Sequence, residues 1–481
     1  MTKFDLTPDQ LRAKETFVKW LANNAYDNPF VLSGFAGSGK TYLSIKLLKI
    51  VEKKKLCWTV VAPTHKAVGV LRKALQDEGL KPTWYPSTVH RLLRLRLKRN
   101  NNLEVCEETA QTNKSLEQLD LVLIDEASMI SRNLLEIVLR CAHSFKTRLV
   151  FVGDSAQLPP VGEAASPVFS MNKSSTFSLN QVVRHQGPVL KLANLFRRDD
   201  FPCDPLPCFK PLASEKGLIA SLNEKNWFEM AKTHLRSASE KDDIDSARIL
   251  CYTNRSIDRL VPFARRAVHG DIADEMPVLP GEVLISRKAV MSCASVDAIQ
   301  SEEEPGILFG SNTEMVVKDI SPENYYLNDE LPSIETLIAE VKIGEREFSI
   351  RLMPEVSSSA REVLDKSLTD LSNKAKSLKG SEARSYWRDF FSLRDSFAHV
   401  GPASVISVHR SQGSTFERVF VTPDIFWPKD ISFRRQLAYV AVTRASKEVW
   451  FLGCNGEVAK KNYWRNQLDL ISKDISLIRN L

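Results

Sequence analysis

The chain has 481 residues, of which 43% are apolar and 26% charged, with a net charge of +7. That length suggests roughly three domains of about 150 residues, and the absence of any run of about 18 apolar residues excludes a membrane-spanning helix. The modest positive charge permits a polyanionic partner without requiring one, and eight scattered cysteines, only Cys203 and Cys208 of them close together, disfavour a metal cluster and fit a reducing compartment. MTKFDLTPDQ at the start carries no apolar signal region, so the expected location is soluble and intracellular.

Phe30-Val31-Leu32-Ser33 reads as a short buried strand. It runs into Gly34-Phe35-Ala36-Gly37-Ser38-Gly39-Lys40-Thr41, after which Ile45, Leu47, Leu48 and Val51 recur at helical spacing. Strand, G-x-x-x-x-G-K-T and helix together are the context of a phosphate-binding loop. Glycines let backbone N–H groups curl around phosphate oxygens, and the helix start adds a favourable dipole. Gly34, Gly37, Ser38 and Gly39 are thus expected to cradle a nucleotide. Lys40 is expected to reach the terminal phosphates, and the Thr41 hydroxyl to ligate Mg²⁺.

Trp58–Ala62 is a second apolar run, ending at Pro63-Thr64-His65-Lys66. His65 suits contact with phosphate or nucleic acid, or a helix-capping role. In residues 92–108, LLRLRLKRNNNLEVCEE, the leucines at 93, 95 and 97 alternate with Arg94, Arg96 and Lys98, and Leu103 and Val105 alternate with Glu104 and Cys106. That is the period-2 pattern of a hairpin with Asn100–Asn102 at its tip.

Leu121–Ile124 is a further strand, ending in Asp125-Glu126. Beside a P-loop, Asp125 suits a second Mg²⁺ contact, and Glu126 suits the base that orients and deprotonates the attacking water. Leu149–Val152 ends at Gly153-Asp154-Ser155-Ala156-Gln157, where the Gln157 amide suits sensing of the γ-phosphate. Strands whose polar carboxyl ends converge predict an open parallel α/β sheet with its ligand there.

In the second half, Ala247–Cys251, Val419–Val421 and Val449–Leu452 read as strands of a second α/β sheet, built from segments far apart in sequence. Between them, residues 280–400 read as short strands followed by charged amphipathic helices over 357–398. The proline-rich run 202–211 reads as a linker or surface loop. A P-loop lysine and one Mg²⁺ leave transition-state charge unbalanced, which an arginine supplies with a planar, bidentate fork. Arg184 in LNQVVRHQG and Arg444 in LAYVAVTRAS are the candidates, with a surface salt bridge as the competing reading for either.

The motif set as a whole resembles the superfamily 1 helicases, and within them the 5′→3′ branch of bacteriophage Dda-like, RecD-like and Pif-like enzymes. The likeness covers most of the chain. LTPDQLRAKETF is similar to an adenine-reading motif with Gln10 in the glutamine position. GFAGSGKT and LIDEAS resemble motifs I and II, APTHKAV and STVHRLL motifs Ia and Ib, and FVGDSAQLPPV motif III. VISVHRSQGSTFERV, which contains Gly413, resembles motif V, and YVAVTRAS motif VI; LNQVVRH is similar to the segment that carries a phosphate-sensing arginine.

The resemblance implies two RecA-like parallel-sheet lobes, the first from 1–86 and 109–180 with an inserted hairpin at 87–108. The second lobe would come from 181–279 and 401–481, with an SH3-like β module and helical tower or hook inserted at 280–400. It implies a monomeric ATP- and Mg²⁺-dependent DNA helicase, working in the cytoplasm (a host's, if phage-encoded) among replication or recombination proteins. Gly413 would join the nucleotide contacts. Five of the nine residues 91–99 are Lys or Arg, so the hairpin, with Arg94, Arg96 and Lys98, is expected either to part a duplex or to guard a sheet edge. A single strand would pass Thr64, His65, Lys66, Thr88, His90, Thr253, Asn254, His409, Ser411 and Gln412. Trp84, Tyr85, Trp387 and Trp427 are base-stacking candidates for which core packing competes. Two other activities share these motifs: a translocase without strong unwinding, and an ATP-switched single-strand binder.

Overall fold

The computed structural model describes residues 6–23, 26–100, 103–172, 174–180, 187–198, 201, 209, 211–241, 243–296, 306–453 and 476–477; for 97–105 it describes the backbone alone. Arg184, most of the proline-rich run and nearly all of the chain beyond 453 lie outside these residues.

Eight strands arise in the first 180 residues: β1 (Phe30–Gly34), β2 (Trp58–Ala62), β3 (Ser87–Thr88), β4 (Arg96–Asn100), β5 (Leu103–Glu107), β6 (Leu121–Ile124), β7 (Arg148–Gly153) and β8 (Ser175–Leu179). Six of them form one sheet in the order β3-β2-β6-β7-β1-β8. All its pairings are parallel. Parallel strands buried on both faces need apolar residues at every position rather than at alternate ones. The sequence supplies them: Phe30, Leu32, Leu121, Leu123, Val150 and Val152 enter one core, while Val31, Val122, Ile124, Leu149 and Phe151 enter the other. Each such side chain contributes about 1.5–3 kcal/mol by its burial, which fixes the strand ends where the site is assembled.

The hairpin forms, but shorter than its sequence pattern. Only β4 and β5 pair, from Arg96↔Glu107 to Asn100↔Leu103. Leu92 ends a short helix, Leu93 is buried in the core, and Arg94 takes a left-handed backbone at φ 53°. The first two leucines of the alternation therefore anchor the arm in the core, and the strand begins only after that turn.

Beyond residue 180 come β9 (Leu212–Ser214), β10 (Gly217–Leu222), β11 (Ala247–Cys251), β12 (Val283–Ser286), β13 (Val290–Met291), β14 (Ile307–Phe309), β15 (Glu314–Tyr325), β16 (Ile334–Ile343), β17 (Arg346–Arg351), β18 (Val400–Pro402), β19 (Val405–Ser407), β20 (Phe416–Val421), β21 (Ala445–Leu452) and β22 (Ser476–Leu477). A second sheet has the order β19-β11-β20-β21-β10-β9-β22, with β20 and β10 both parallel to β21. The helix Ile431–Thr443 precedes β21, and Asp430 caps it by accepting from the amides of Ser432 and Phe433.

The chain divides into two compact units, one of residues 1–230, 249–253 and 407–481, the other of 231–248 and 254–406. Both parallel-strand regions fall in the first unit. In the second, β17-β16-β15-β12-β18 form an antiparallel sheet with a bulge between Val317 and Asp319. That sheet is open, with β17 and β18 at its edges, where an SH3-like module was expected. The helices Ser359–Ser377 and Gly380–Asp395 bury Leu364, Leu371 and Leu393 with Tyr325 and Ile334. Arg248, fully buried in the same unit, meets Glu314 at 3.0 Å and donates to the Ile244 carbonyl at 2.8 Å.

Candidate nucleotide and nucleic-acid site

The loop between β1 and the helix Lys40–Lys53 takes its shape from three glycines. Gly37 and Gly39 have φ of 80° and 78°, in the left-handed region that favours glycine. A Cβ on Gly34 would stand 2.8 Å from Ser38 Oγ and 2.9 Å from Leu179 Cβ. The Lys40 ammonium donates to the Gly34 and Phe35 carbonyls, at 2.8 and 3.0 Å. Gln10 sits under the loop: its amide nitrogen donates to the Ser38 carbonyl at 3.1 Å, and its Oε1 accepts from the Thr7 amide. Gln10 thus braces the P-loop while closing the capping box of the first helix, Pro8–Ala22.

Asp125 and Glu126 follow β6. Desolvation, then the neighbouring Glu126 charge, pushes the Asp125 carboxyl up to about 7. Glu126 adopts φ 52°, and its amide donates to Asp125 Oδ1 at 2.9 Å. The Lys40 charge also acts on Asp125; two adjacent acids at a buried strand end, together with the Thr41 hydroxyl at the start of the Lys40–Lys53 helix, are hard oxygen donors of the kind that suits Mg²⁺. Several buried polar atoms here have no hydrogen-bond partner, among them Ser38 Oγ, Ser128 Oγ and Gln157 Oε1. Buried polar atoms are ordinarily satisfied, so this cluster fits a polar ligand.

The first unit brings the second sheet's motif residues to the same loop. Tyr439, on the helix Ile431–Thr443, accepts from the Ala36 amide at 3.0 Å and donates to Asp154 Oδ2 at 2.5 Å. Asp154 Oδ2 also accepts from the Ala36 amide at 3.1 Å, and Asp154 Oδ1 from the Ala156 amide at 3.0 Å. Arg444 follows as the C-cap of that helix and is 6% exposed. Its guanidinium donates to the Ser414 carbonyl at 2.9 Å and to Val440 at 3.2 Å. Burial lowers its pKa, while the charges of Glu126, Tyr439 and Asp154 act in the opposite sense.

The expected strand contacts divide into two groups. Thr64 and Thr88 use their hydroxyls as helix caps, accepting from Ala67 and Arg91. His65 is exposed, and His90 is half-buried. Desolvation is the main cause that lowers both imidazoles, with Arg72 and Arg91 adding to it at His65 and the nearby His65 at His90. Lys66 lies 5.2 Å over the Phe416 ring. Gly413 approaches Thr64 and Ala67: a Cβ there would be 3.7 Å from Thr64 Oγ1, and its φ is 74°. It therefore stands against the Thr64 helix cap.

Ser411 and Gln412 are buried, and their side chains are engaged within the protein. Ser411 donates to the Val408 carbonyl at 2.7 Å and Gln412 to the Leu158 carbonyl at 3.2 Å. Thr253 donates its hydroxyl to Asp424, and Asn254 is exposed. Arg94 and Arg96 are exposed, Arg94 reaching Gln111 at 3.2 Å; the Lys98 side chain lies outside the described residues.

Tyr85 and Trp427 are exposed, at 74% and 64%, whereas Trp84 packs on the core and Trp387 stacks on Phe391. An aromatic cluster of Tyr252, His409 and Phe433 was not anticipated; its ring centroids are 5.9–6.1 Å apart. Tyr439 was also missed as an individual residue, although it is the first residue of YVAVTRAS. Its tyrosine hydroxyl amid apolar helix residues was the available signal.

Residues 6–202 match the AAA domain family, and residues 402–452 the UvrD-like helicase C-terminal domain. The ATP-dependent DNA helicase Dda of Enterobacteria phage T4 is 24% identical over 470 residues, spanning 94% of this chain and 100% of that protein. The ATP-dependent DNA helicase Pif1 of Campylobacter jejuni is 34% identical over 140 residues, 28% of this chain and 30% of that one. The crystal structure of Bacteroides Pif1 bound to single-stranded DNA superposes with a TM-score of 0.48 at 14% identity, over 99% of this chain and 100% of that one.

Proposed function

We infer that this chain, a homologue of the Dda, RecD and Pif1 helicases, is an ATP-dependent DNA helicase that moves 5′→3′ along a single strand as a monomer. The observation that carries this reading is the P-loop around Lys40, tied through the Ala36 amide to Tyr439 on the helix that ends at Arg444. The loop amides and Lys40 bind the triphosphate. Thr41 and Asp125 would hold Mg²⁺, which would supply neutralisation of phosphate charge. Glu126 orients water and takes its proton, and Gln157 reads the outer phosphate through its amide. Arg444 stabilises developing charge, with Arg184 as its expected counterpart.

The arginine and the P-loop come from different sheets, so hydrolysis alters the contact between those sheets. Gly413 lies so near the Thr64 cap that a Cβ on it would be 3.7 Å from Thr64 Oγ1, one residue from each sheet's motifs, which gives a strand gripped there a route to the nucleotide. The hairpin β4–β5, whose first strand opens on the exposed Arg96, serves as the wedge that keeps parted strands from re-pairing. Each DNA stacking step is worth about 1.4 kcal/mol, so blocking re-annealing after each advance is sufficient.

Strand displacement on duplexes with a 5′ or a 3′ single-stranded tail tests the reading. Displacement with ATP from the 5′ tail alone is expected. Displacement from the 3′ tail reverses the polarity. ATP-driven movement without displacement leaves a translocase, and binding without movement leaves a switch.

A further inference from the structure

Arg197 follows the helix Pro188–Phe196 and caps it, its amide donating to the Asn194 carbonyl at 3.3 Å. Its guanidinium lies over the ring of Phe35, the second residue of the P-loop, with 3.3 Å from Cζ to the ring centroid. It also faces the Tyr439 ring at 5.5 Å. Both Nε and Nη1 are buried and have no hydrogen-bond partner.

Arg197 as a whole is half-buried, but two buried guanidinium nitrogens without partners are costly, because their donors lose water and gain nothing in return. A cation–π contact holds the plane of the group but does not satisfy its in-plane N–H donors. Phe35 and Tyr439 therefore orient the fork and leave its edge available beside the loop. Ala36, next in the chain, gives its amide to Tyr439 and Asp154. The ligand class that a P-loop holds is a polyphosphate, and an arginine edge matches phosphate oxygens bidentately.

We propose that Arg197 is a phosphate-contacting arginine of this ATPase, held flat on Phe35 so that its free N–H edge meets the outer phosphate as hydrolysis proceeds. It is additional to Arg184 and Arg444, and it rests on the helicase reading above. Its contact strengthens with charge at the outer phosphate, so it favours the transition state over bound ADP.

The experiment compares the parent chain with Arg197→Met, which keeps the packing bulk, and Arg197→Lys, which keeps the charge but loses the fork. Two readouts are taken: DNA-stimulated ATP turnover, and affinity for Mg·ADP with and without aluminium fluoride. Expected for Arg197→Met is a fall of about a hundredfold in kcat. A loss of fluoride-complex affinity of the same size is expected, with ADP affinity changed less than about threefold; Arg197→Lys should recover only part of either.

Equal losses for ADP and the fluoride complex would overturn the proposal, since a purely structural role weakens both. Parent-like turnover in Arg197→Met would also overturn it. Should Arg197→Met fail to fold by its melting curve, Arg197→Lys decides on the same two readouts. A parent chain that hydrolyses no ATP would overturn both this proposal and the helicase reading, whereas the other outcomes touch Arg197 alone.

Discussion

The Tyr439 hydroxyl joins Asp154 Oδ2 at 2.5 Å while accepting the Ala36 amide at 3.0 Å. One phenol thus ties the helix that ends at Arg444 to both the P-loop and the strand end carrying Gln157. Asp154 is 1% exposed, so losing the phenol donor leaves a buried carboxylate under-satisfied. Tyr439→Phe is expected to cost about 1.5–3 kcal/mol of this contact and to lower DNA-stimulated kcat about tenfold or more. Steady-state ATPase measurement checks it, and turnover equal to the parent's would show that the bond has no part in coupling.

Lys40→Ala is expected to abolish hydrolysis, because nothing else described in the loop carries a cation to the outer phosphates. Glu126→Gln is expected to retain ATP binding and lose turnover, since the amide cannot take the water's proton. Equilibrium binding of a fluorescent ATP analogue, set beside phosphate release, separates the two. Near-normal release from either variant refutes the corresponding role.

The β4–β5 hairpin offers a separation of functions. Replacing Asn100–Asn102 with a shortened turn should leave ATPase activity within about twofold, because none of the P-loop contacts among the described residues comes from the hairpin, and should abolish strand displacement. The same preparation is assayed for both, and normal unwinding would reduce the hairpin to a guarded edge.

Arg248 is fully enclosed and paired with Glu314 at 3.0 Å. Arg248→Ala removes the buried member of a pair whose Glu314 side chain is 24% exposed, so the cost is expected below the about 3–5 kcal/mol of a fully buried pair. The transition that reports the 231–248 and 254–406 unit should shift to lower temperature in a thermal melt. An unchanged melting curve would contradict the packing described.

Burial holds the His409 imidazole below its usual value of 6.5. Between those two values the unfolded chain binds a proton that the folded chain does not. The stability this group contributes is therefore full above about 6.5 and declines as pH falls toward the folded value. His65 and His90, also lowered, act in the same direction. The melting temperature should fall from pH 7.5 toward about pH 5.5, and His409→Gln should flatten that fall; an identical slope in the variant would remove His409 as a cause.

The candidate nucleotide site was legible because its chemistry sits in contiguous sequence. Lys40 opens the helix that the loop after Phe30–Gly34 leads into, Asp125-Glu126 follow the end of β6, and the backbone does the positioning. β2, β6 and β11 fall where their apolar runs place them, since parallel strands buried on both faces leave an unbroken apolar signature. Reading failed where side chains act through space. Ser411 and Gln412 look like strand contacts by motif position, yet their polar groups are consumed by Val408 and Leu158. Arg197 and Tyr439 carry no local pattern, because only packing of the second sheet's helices against Phe35 and Ala36 gives them a task. The hairpin was overextended because Leu93 fits the alternation of a strand as well as the core below it.

The composite origin of the second sheet has a consequence for biosynthesis. All strands of the first sheet are available once residue 179 has left the ribosome, but β21 adds its strand only after residue 445. Translation is vectorial, and domains tend to fold as units in the order they emerge. A nascent chain therefore passes through a long interval in which the phosphate loop exists and its arginine does not. On the roles proposed for Lys40 and Arg444, such an intermediate would hold a nucleotide without spending it until the helix Ile431–Thr443 and β21 have emerged.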